Sequence, residues 1–478
     1  MKINSFPHSN YRAREGEHYD LIPGRGLVYT RRLVKKVYHE AAKYAFTEGA
    51  IGCSDWGYEF DDISLMKPFY KHLKAQPCGL LPQETERDII ARCKVLNKLP
   101  YSKAAFMVNA MYLVMREIFS QTRPVAVLSV MIDSYVVDLL HRVAAEYHVP
   151  SFGFCLSSYP GHSLISLRGE FNQIREPSDQ EINNFLAKLL DNNQVITYNV
   201  KYGSYTIKDH LRNSSVSWAK ALYFSLSRCV TQDWLNFRYL SMLPMKEVGF
   251  FVPWNFAPEL VHMDWEDKIE RASQPVLFIP LSYIPEATTN YWLRDLRYLD
   301  YDNFIEKLCS SLEGTYTIAI KEHWYCRGVR SVNFYKRLLK LPNVILIPPE
   351  VNSRQVFKKV ERVLVGGGTS GLEAALRGKR VVTLTKPYYY LENYFVHVKD
   401  YDQALADLPS LIEGFQPPRD LEQMQRQLAR RVLASTLPGV TEVCPQLDSE
   451  ENYQVLGRSL AMHYNSSFFT GGCKEQAL

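Results

Sequence analysis

Apolar positions in this chain follow two rhythms, and their alternation predicts the architecture. Pro124–Met131 is an apolar run broken only by Ser129, as expected of a strand buried on both faces. Ser134–Tyr147 then places Val136, Val137, Leu139, Leu140, Val143 and Ala144 at helical spacing, and Val149–Phe154 returns to a strand pattern. Strand, helix and strand with short connections is the doubly wound arrangement. A second series follows with strands at Val276–Pro280, Tyr316–Lys321, Val344–Ile347, Arg362–Val365 and Val381–Thr385. Helical patterns separate them at Asp302–Leu312, Ser331–Lys340 and Ser353–Val360. The expected fold class is therefore α/β, with two Rossmann-like domains facing across a cleft.

The rest of the pattern sets the expected boundaries. Residues 1–30 are irregular, with a turn at Pro23, Gly24 and Gly26 before a hint of strand at Leu27–Tyr29. Arg31–Thr47 and Leu81–Ser120 have helical spacing, the latter interrupted near Pro100, and 177–245 is mostly helical. Pro244, Gly249, Pro253 and Pro258 mark a linker. The expected domains are 1–245, 258–418 and a terminal 419–478, the last with helices at 419–434 and 451–463.

The most informative stretch is Glu361–Thr385. It reads as strand, a glycine turn (Gly366–Thr369), a helix (Ser370–Arg377), a stop at Gly378, and a strand. Thr369 or Ser370 can cap that helix, and Gly378 suits a left-handed C′ position. Glycines let a bulky anion approach the backbone, and the N–H groups and dipole of a helix start favour it. The competing reading is that the glycines only let helix and sheet pack closely. No Gly-Lys-Ser/Thr follows, so this is not a Walker loop. Gly366, Gly368 and Gly371 match the dinucleotide spacing, but no acid for a ribose follows the next strand, which ends at Thr385-Lys386-Pro387. A nucleotide-sugar phosphate site fits better, with Gly368, Thr369, Ser370 and Gly371 at the phosphate and Glu373 either at a ribose hydroxyl or complementing the helix start.

Composition narrows the classes. The chain has 478 residues, 46% hydrophobic and 22% charged, enough for two or three cores. Net charge is 56 − 51 = +5, too weak to argue for nucleic acid but compatible with an anionic substrate or a peripheral membrane contact. Nine scattered cysteines without a CxxC pair argue against a disulfide framework or structural zinc. Met1–Asp20 is polar, and no apolar run reaches the ~20 residues of a membrane helix. The expectation is a cytoplasmic protein, with peripheral contact at the inner face of the membrane.

Three segments carry a resemblance to the capsule polysaccharide biosynthesis proteins, bacterial glycosyltransferases of the two-Rossmann (GT-B) architecture. They are Phe278–Thr289, similar to the family's PL-x-x-x-PEA-[ST]-T; Ile320-Lys-Glu-His323, similar to KEHP; and Gly367–Lys379, similar to GT-x-G-x-EA-x-x-x-GK. The resemblance covers roughly Val276 to Tyr390. It implies transfer of a sugar from a nucleotide donor to a surface glycan or its lipid-linked primer, with a CMP-activated, Kdo-like ulosonic acid as the first donor to test. It also implies His323 as a donor-phosphate ligand. Trp324 stands where the family has proline, which leaves the donor open.

Other candidates rest on placement. Lys321 points either to the phosphate or into the sheet layer. Glu286 is either a cleft carboxylate acting on the sugar or an acid near a helix start. Asp133, after a strand end, is the candidate acceptor-activating base, with His162 its rival. Tyr388–Tyr390 read as packing before stacking. Asp300-Tyr301-Asp302 reads as a helix cap, so the expected mechanism uses no metal and no cofactor. The rival functions are a nucleotide-sugar epimerase, a CDP-alditol phosphotransferase, and a non-catalytic capsule export protein.

Overall fold

The computed structural model describes residues 19–29, 32–54, 63–191, 207–236, 240, 260–284, 287–323, 326, 330–416, 418–441 and 448–464. The strands are β1 (Gly26–Tyr29), β2 (Ala50–Ser54), β3 (Ile63–Ser64), β4 (Ala126–Val130), β5 (Ser151–Leu156) and β6 (His162–Ile165). They continue with β7 (Val276–Pro280), β8 (Thr317–Lys321), β9 (Val344–Ile347), β10 (Arg362–Val365), β11 (Arg380–Thr383), β12 (Val396–His397) and β13 (Thr436–Pro438). They form two sheets, in the orders β13-β6-β5-β4-β1-β2-β3 and β12-β11-β10-β7-β8-β9.

The chain divides into two compact units. One is Met1–Phe185 with Arg430–Leu478; the other is Leu186–Ala429. These bounds differ from the expected 1–245 and 258–418. The last turn of the helix Asp179–Leu190 belongs to the second unit, for a local reason. There Arg377 donates to the carbonyl of Leu189 and Arg354 to that of Asp191. The expected Pro/Gly linker falls on residues outside the described ones.

In the first unit β1 to β5 run parallel, and β6 and then β13 extend one edge, each antiparallel to the strand before it in the sheet. Chain order moves from β1 to β2 on one side and returns with β4 on the other, so the topological switch lies between β1 and β4. Val28, Leu128, Phe152 and Phe154 form the core with the helices Arg32–Ala42 and Glu450–His463. These helices meet at Gly457, where an added Cβ would stand 2.2 Å from the Ala41 carbonyl oxygen. The C-terminal segment is thus not a separate appendage: β13 extends the first sheet and the last helix covers it.

The second sheet is parallel throughout. Its strands are buried on both faces; all four residues of β9 are buried. Phe304, Ile305 and Leu308, from the helix Tyr301–Ser311, pack on Leu277, Ile279, Ile318 and Ile320. Each such side chain contributes about 1.5–3 kcal/mol on burial. Here β8 and β9 lie on one side of β7 and β10 on the other, so the switch lies between β7 and β10.

Candidate functional site

In a parallel sheet every strand delivers its following loop to the same edge, and at a switch point the two neighbouring loops part to leave a crevice. β10 pairs with β7 through Arg362↔Leu277 and Val363↔Phe278, and β7 pairs with β8 up to Pro280↔Lys321. The loops after β7 (Leu281–Ile284), β8 (Glu322-His323) and β10 (Gly366–Gly368) therefore converge on one edge. All three motif segments lead there.

The glycine turn divides its labour. A Cβ on Gly371 would stand 2.5 Å from the Tyr389 hydroxyl and 2.8 Å from Val365, and one on Gly367 would stand 2.8 Å from Thr385. These two serve close packing. Gly368 has nothing within 4 Å of its Cβ position, so it is the glycine that opens on free space. The helix is Thr369–Ala375, shorter than expected, and it starts one residue earlier. Gly368 takes the N-cap position and no side chain caps the helix, which corrects the assignment of that role to Thr369 or Ser370. Thr369 is exposed and Ser370 half-buried. Gly378 has φ +72°, and its N–H and that of Lys379 return to Ala375 and Ala374, a Schellman ending. Tyr389 is fully buried and donates to the Gly368 carbonyl at 2.7 Å, holding the turn from beneath. The three tyrosines Tyr388–Tyr390 are all buried, as packing requires.

His323 is half-buried and stacks on Tyr283, ring centres 5.3 Å apart. Burial, then the positive charges of Lys321 and Arg330, lower its pKa to about 4. It is therefore neutral at physiological pH, not poised near neutrality as its type suggests. Lys321 is buried, with its Nζ 3.5 Å from the Glu322 carbonyl oxygen.

Beneath this loop lies a buried charge network that the sequence reading missed. The Arg330 side chain is fully buried. Its guanidinium donates to Glu322 at 2.5 Å, Asp302 at 2.8 Å and the Ser282 carbonyl at 2.7 Å. Glu322 also accepts from the Tyr335 hydroxyl and the His323 backbone N–H. Burial pushes the Glu322 carboxyl up, while Arg330 and the other donors draw it back. One side chain thus ties the loop after β7 to the loop after β8. Glu322 was visible inside the KEH motif; Arg330 carries no signal in spacing.

The remaining expected residues are dispersed. Glu373 accepts from Arg354 Nε at 3.0 Å, so the structure gives its carboxylate an ion pair rather than leaving it open to a ribose. Glu286 and Trp324 lie outside the described residues. Asp300 occupies an N-cap position without a side-chain cap bond, and Asp302 serves Arg330, so the capping role is corrected for both. A second Asp-x-Asp that the sequence reading missed, Asp400-Tyr401-Asp402, is also structural. Asp400 caps the helix Tyr401–Ala406 and Asp402 pairs with Arg297. Among the described residues, no group of three or more His, Cys, Asp or Glu is arranged to hold a metal. No disulfide joins any of the seven described cysteines.

In the first unit Asp133 is half-buried at the carboxyl end of β4, beside the β1/β4 switch. His162 opens β6 at the same sheet edge, since Leu156 pairs with Ser163. It is 5% exposed, packs on Tyr159 at 4.7 Å between ring centres and lies 3.9 Å from Glu181.

Two Rossmann-like α/β sheets, one with a glycine turn at its switch point, define the class. Residues 302–393 match the family described as "Capsule polysaccharide biosynthesis protein", and that segment holds Arg330, the KEH loop and the glycine turn. No curated protein matches the chain. Among solved structures it is similar to the KpsC beta Kdo 2,4 transferase of Thermosulfurimonas dismutans, at 16% identity and TM-score 0.31 over 64% of this chain and 79% of that one. It is also similar to the UDP-GlcNAc 2-epimerase of Methanocaldococcus jannaschii, at 12% identity and TM-score 0.28 over 82% and 92%. Likenesses of this size carry no argument about activity. No described helix is long and apolar enough to cross a membrane.

Proposed function

We propose that the protein is a glycosyltransferase that takes a sugar from a nucleotide donor, a CMP-activated ulosonic acid in the first instance, and passes it to a surface glycan or its lipid-linked primer. The observation that carries this is the convergence of three motif-bearing loops at the switch point of the second sheet, within or beside the segment that matches the capsule biosynthesis family. The donor phosphate sits over Gly368 against the backbone N–H groups of the turn and the hydroxyls of Thr369 and Ser370. His323 donates a hydrogen bond to it as a neutral imidazole. Lys321 supplies positive charge from behind. Glu286 acts on the sugar. Asp133 takes the acceptor proton; it is preferred to His162, whose burial against Tyr159 favours packing.

The test is incubation with CMP-activated ulosonic acid, with and without a glycan acceptor, followed by mass spectrometry. Glycosylated acceptor and stoichiometric CMP support the reading. A rearranged sugar formed from the donor alone points to an isomerase and overturns it.

A further inference from the structure

We propose that the helix Ile207–Thr231, with the turn that follows it, docks this protein on a membrane surface rich in anionic lipid. The inference rests on the surface alone and does not depend on the transferase reading. Among the described residues, eight of the sixteen exposed large hydrophobic side chains fall between Leu211 and Trp234. Leu211, Trp218, Leu222 and Leu226 recur at helical spacing and are 60, 46, 62 and 57% exposed, with Tyr223 and Val230 alongside. Scattered exposed apolar residues need no explanation, but eight of them gathered on one helix and its turn do.

Charge identifies what covers these side chains. The helix holds Lys208, Arg212, Lys220 and Arg228 against one acid, Asp209. Arg212 and Lys220 are exposed. Arg228 lies 5.5 Å from the centre of the Trp234 ring and donates to the Trp234 carbonyl at 2.8 Å, which fixes an exposed tryptophan beside a cation. Leucines with Trp and Tyr at the rim and an excess of Lys and Arg suit the boundary between headgroups and acyl chains. A second copy of the chain suits this face less. A two-fold pair would set this cationic helix against itself, and Asp209 with Asp233 in the turn would leave most of its charge unneutralised. Anionic lipid neutralises it directly.

The experiment is cosedimentation of the full chain with vesicles of phosphatidylglycerol and phosphatidylethanolamine, or of phosphatidylcholine alone. The native chain is expected to pellet with the anionic vesicles and to bind the neutral ones about tenfold less. Salt at about 0.5 M should weaken the binding. Leu222→Glu with Leu226→Glu should lose about tenfold in binding, with the thermal midpoint unchanged because both side chains are exposed. The proposal fails if the native chain stays in the supernatant or if the double variant binds like the native. It also fails if sedimentation equilibrium shows a dimer that the double variant dissociates while vesicle binding is absent.

Discussion

Gly368 and Gly371 share one turn but answer to different constraints. Gly368 has open space at its Cβ position and extended backbone, φ −70° and ψ 167°, which a β-branched residue adopts readily. Gly371 is closed in by Tyr389 and Val365. Urea unfolding should therefore separate them. Gly368→Val should leave stability nearly unchanged, whereas Gly371→Val should cost about 1–3 kcal/mol through overpacking. Equal losses would mean that the turn is closed on both sides. His323 gives a second test. Its pKa is lowered to about 4, and a bound phosphate would raise it by adding negative charge. Between those two values the complex holds more protons than the free protein. Affinity for a CMP-sugar, whose phosphodiester does not titrate there, should then rise as pH falls and level off below about 4. Calorimetric titration across that range should show this slope in the native protein and its loss in His323→Gln. A native profile that is flat, or that rises with pH, would remove His323 from the phosphate.

Among the elements, the loops depend on a clamp more than on the short helix Thr369–Ala375. Arg330 holds Ser282, Glu322 and Asp302 together with its side chain fully out of water. Removing one partner of such a network strands the others, so Arg330→Met should cost roughly 3–5 kcal/mol in urea unfolding. Adding Glu322→Gln should recover part of that loss, because the two residues are coupled. A loss under about 1 kcal/mol would mean that the network is not holding the loops. The same clamp bears on the mechanism. Asp302, a member of the pair that otherwise suggests metal binding, is spent on Arg330. Sugar transfer is therefore expected to survive EDTA at matched ionic strength. Turnover lost to chelation and restored by magnesium or manganese would contradict this.

At the scale of the whole molecule, what could be read from the sequence followed from burial. β7, β9 and β10 have the bounds that the sequence predicts, because a strand covered on both faces is apolar, here but for half-buried Arg362 at the start of β10, and cannot be mistaken for a surface helix. The alternating order of strands and helices likewise implied two parallel sheets. What was not legible depended on long-range partners. β13 is three residues that mean nothing until they pair with β6, and the return of the last helix to the Arg32–Ala42 helix shows only once the chain is folded, in their shared core and in the close approach at Gly457. Arg330 is one arginine among many until two loops and the helix Tyr301–Ser311 close around it, and Glu373 looked available until Arg354 was placed beside it. The central claim is that a nucleotide binds at the switch between β7 and β10, with its phosphate over Gly368. Calorimetric titration with CMP, UDP and GDP, on the native chain and on Gly368→Val, tests it most directly. The account predicts that CMP binds the native chain in preference to the others and that Gly368→Val loses this binding while remaining folded. Equal CMP binding by native and variant, or none by a folded native chain, would contradict it.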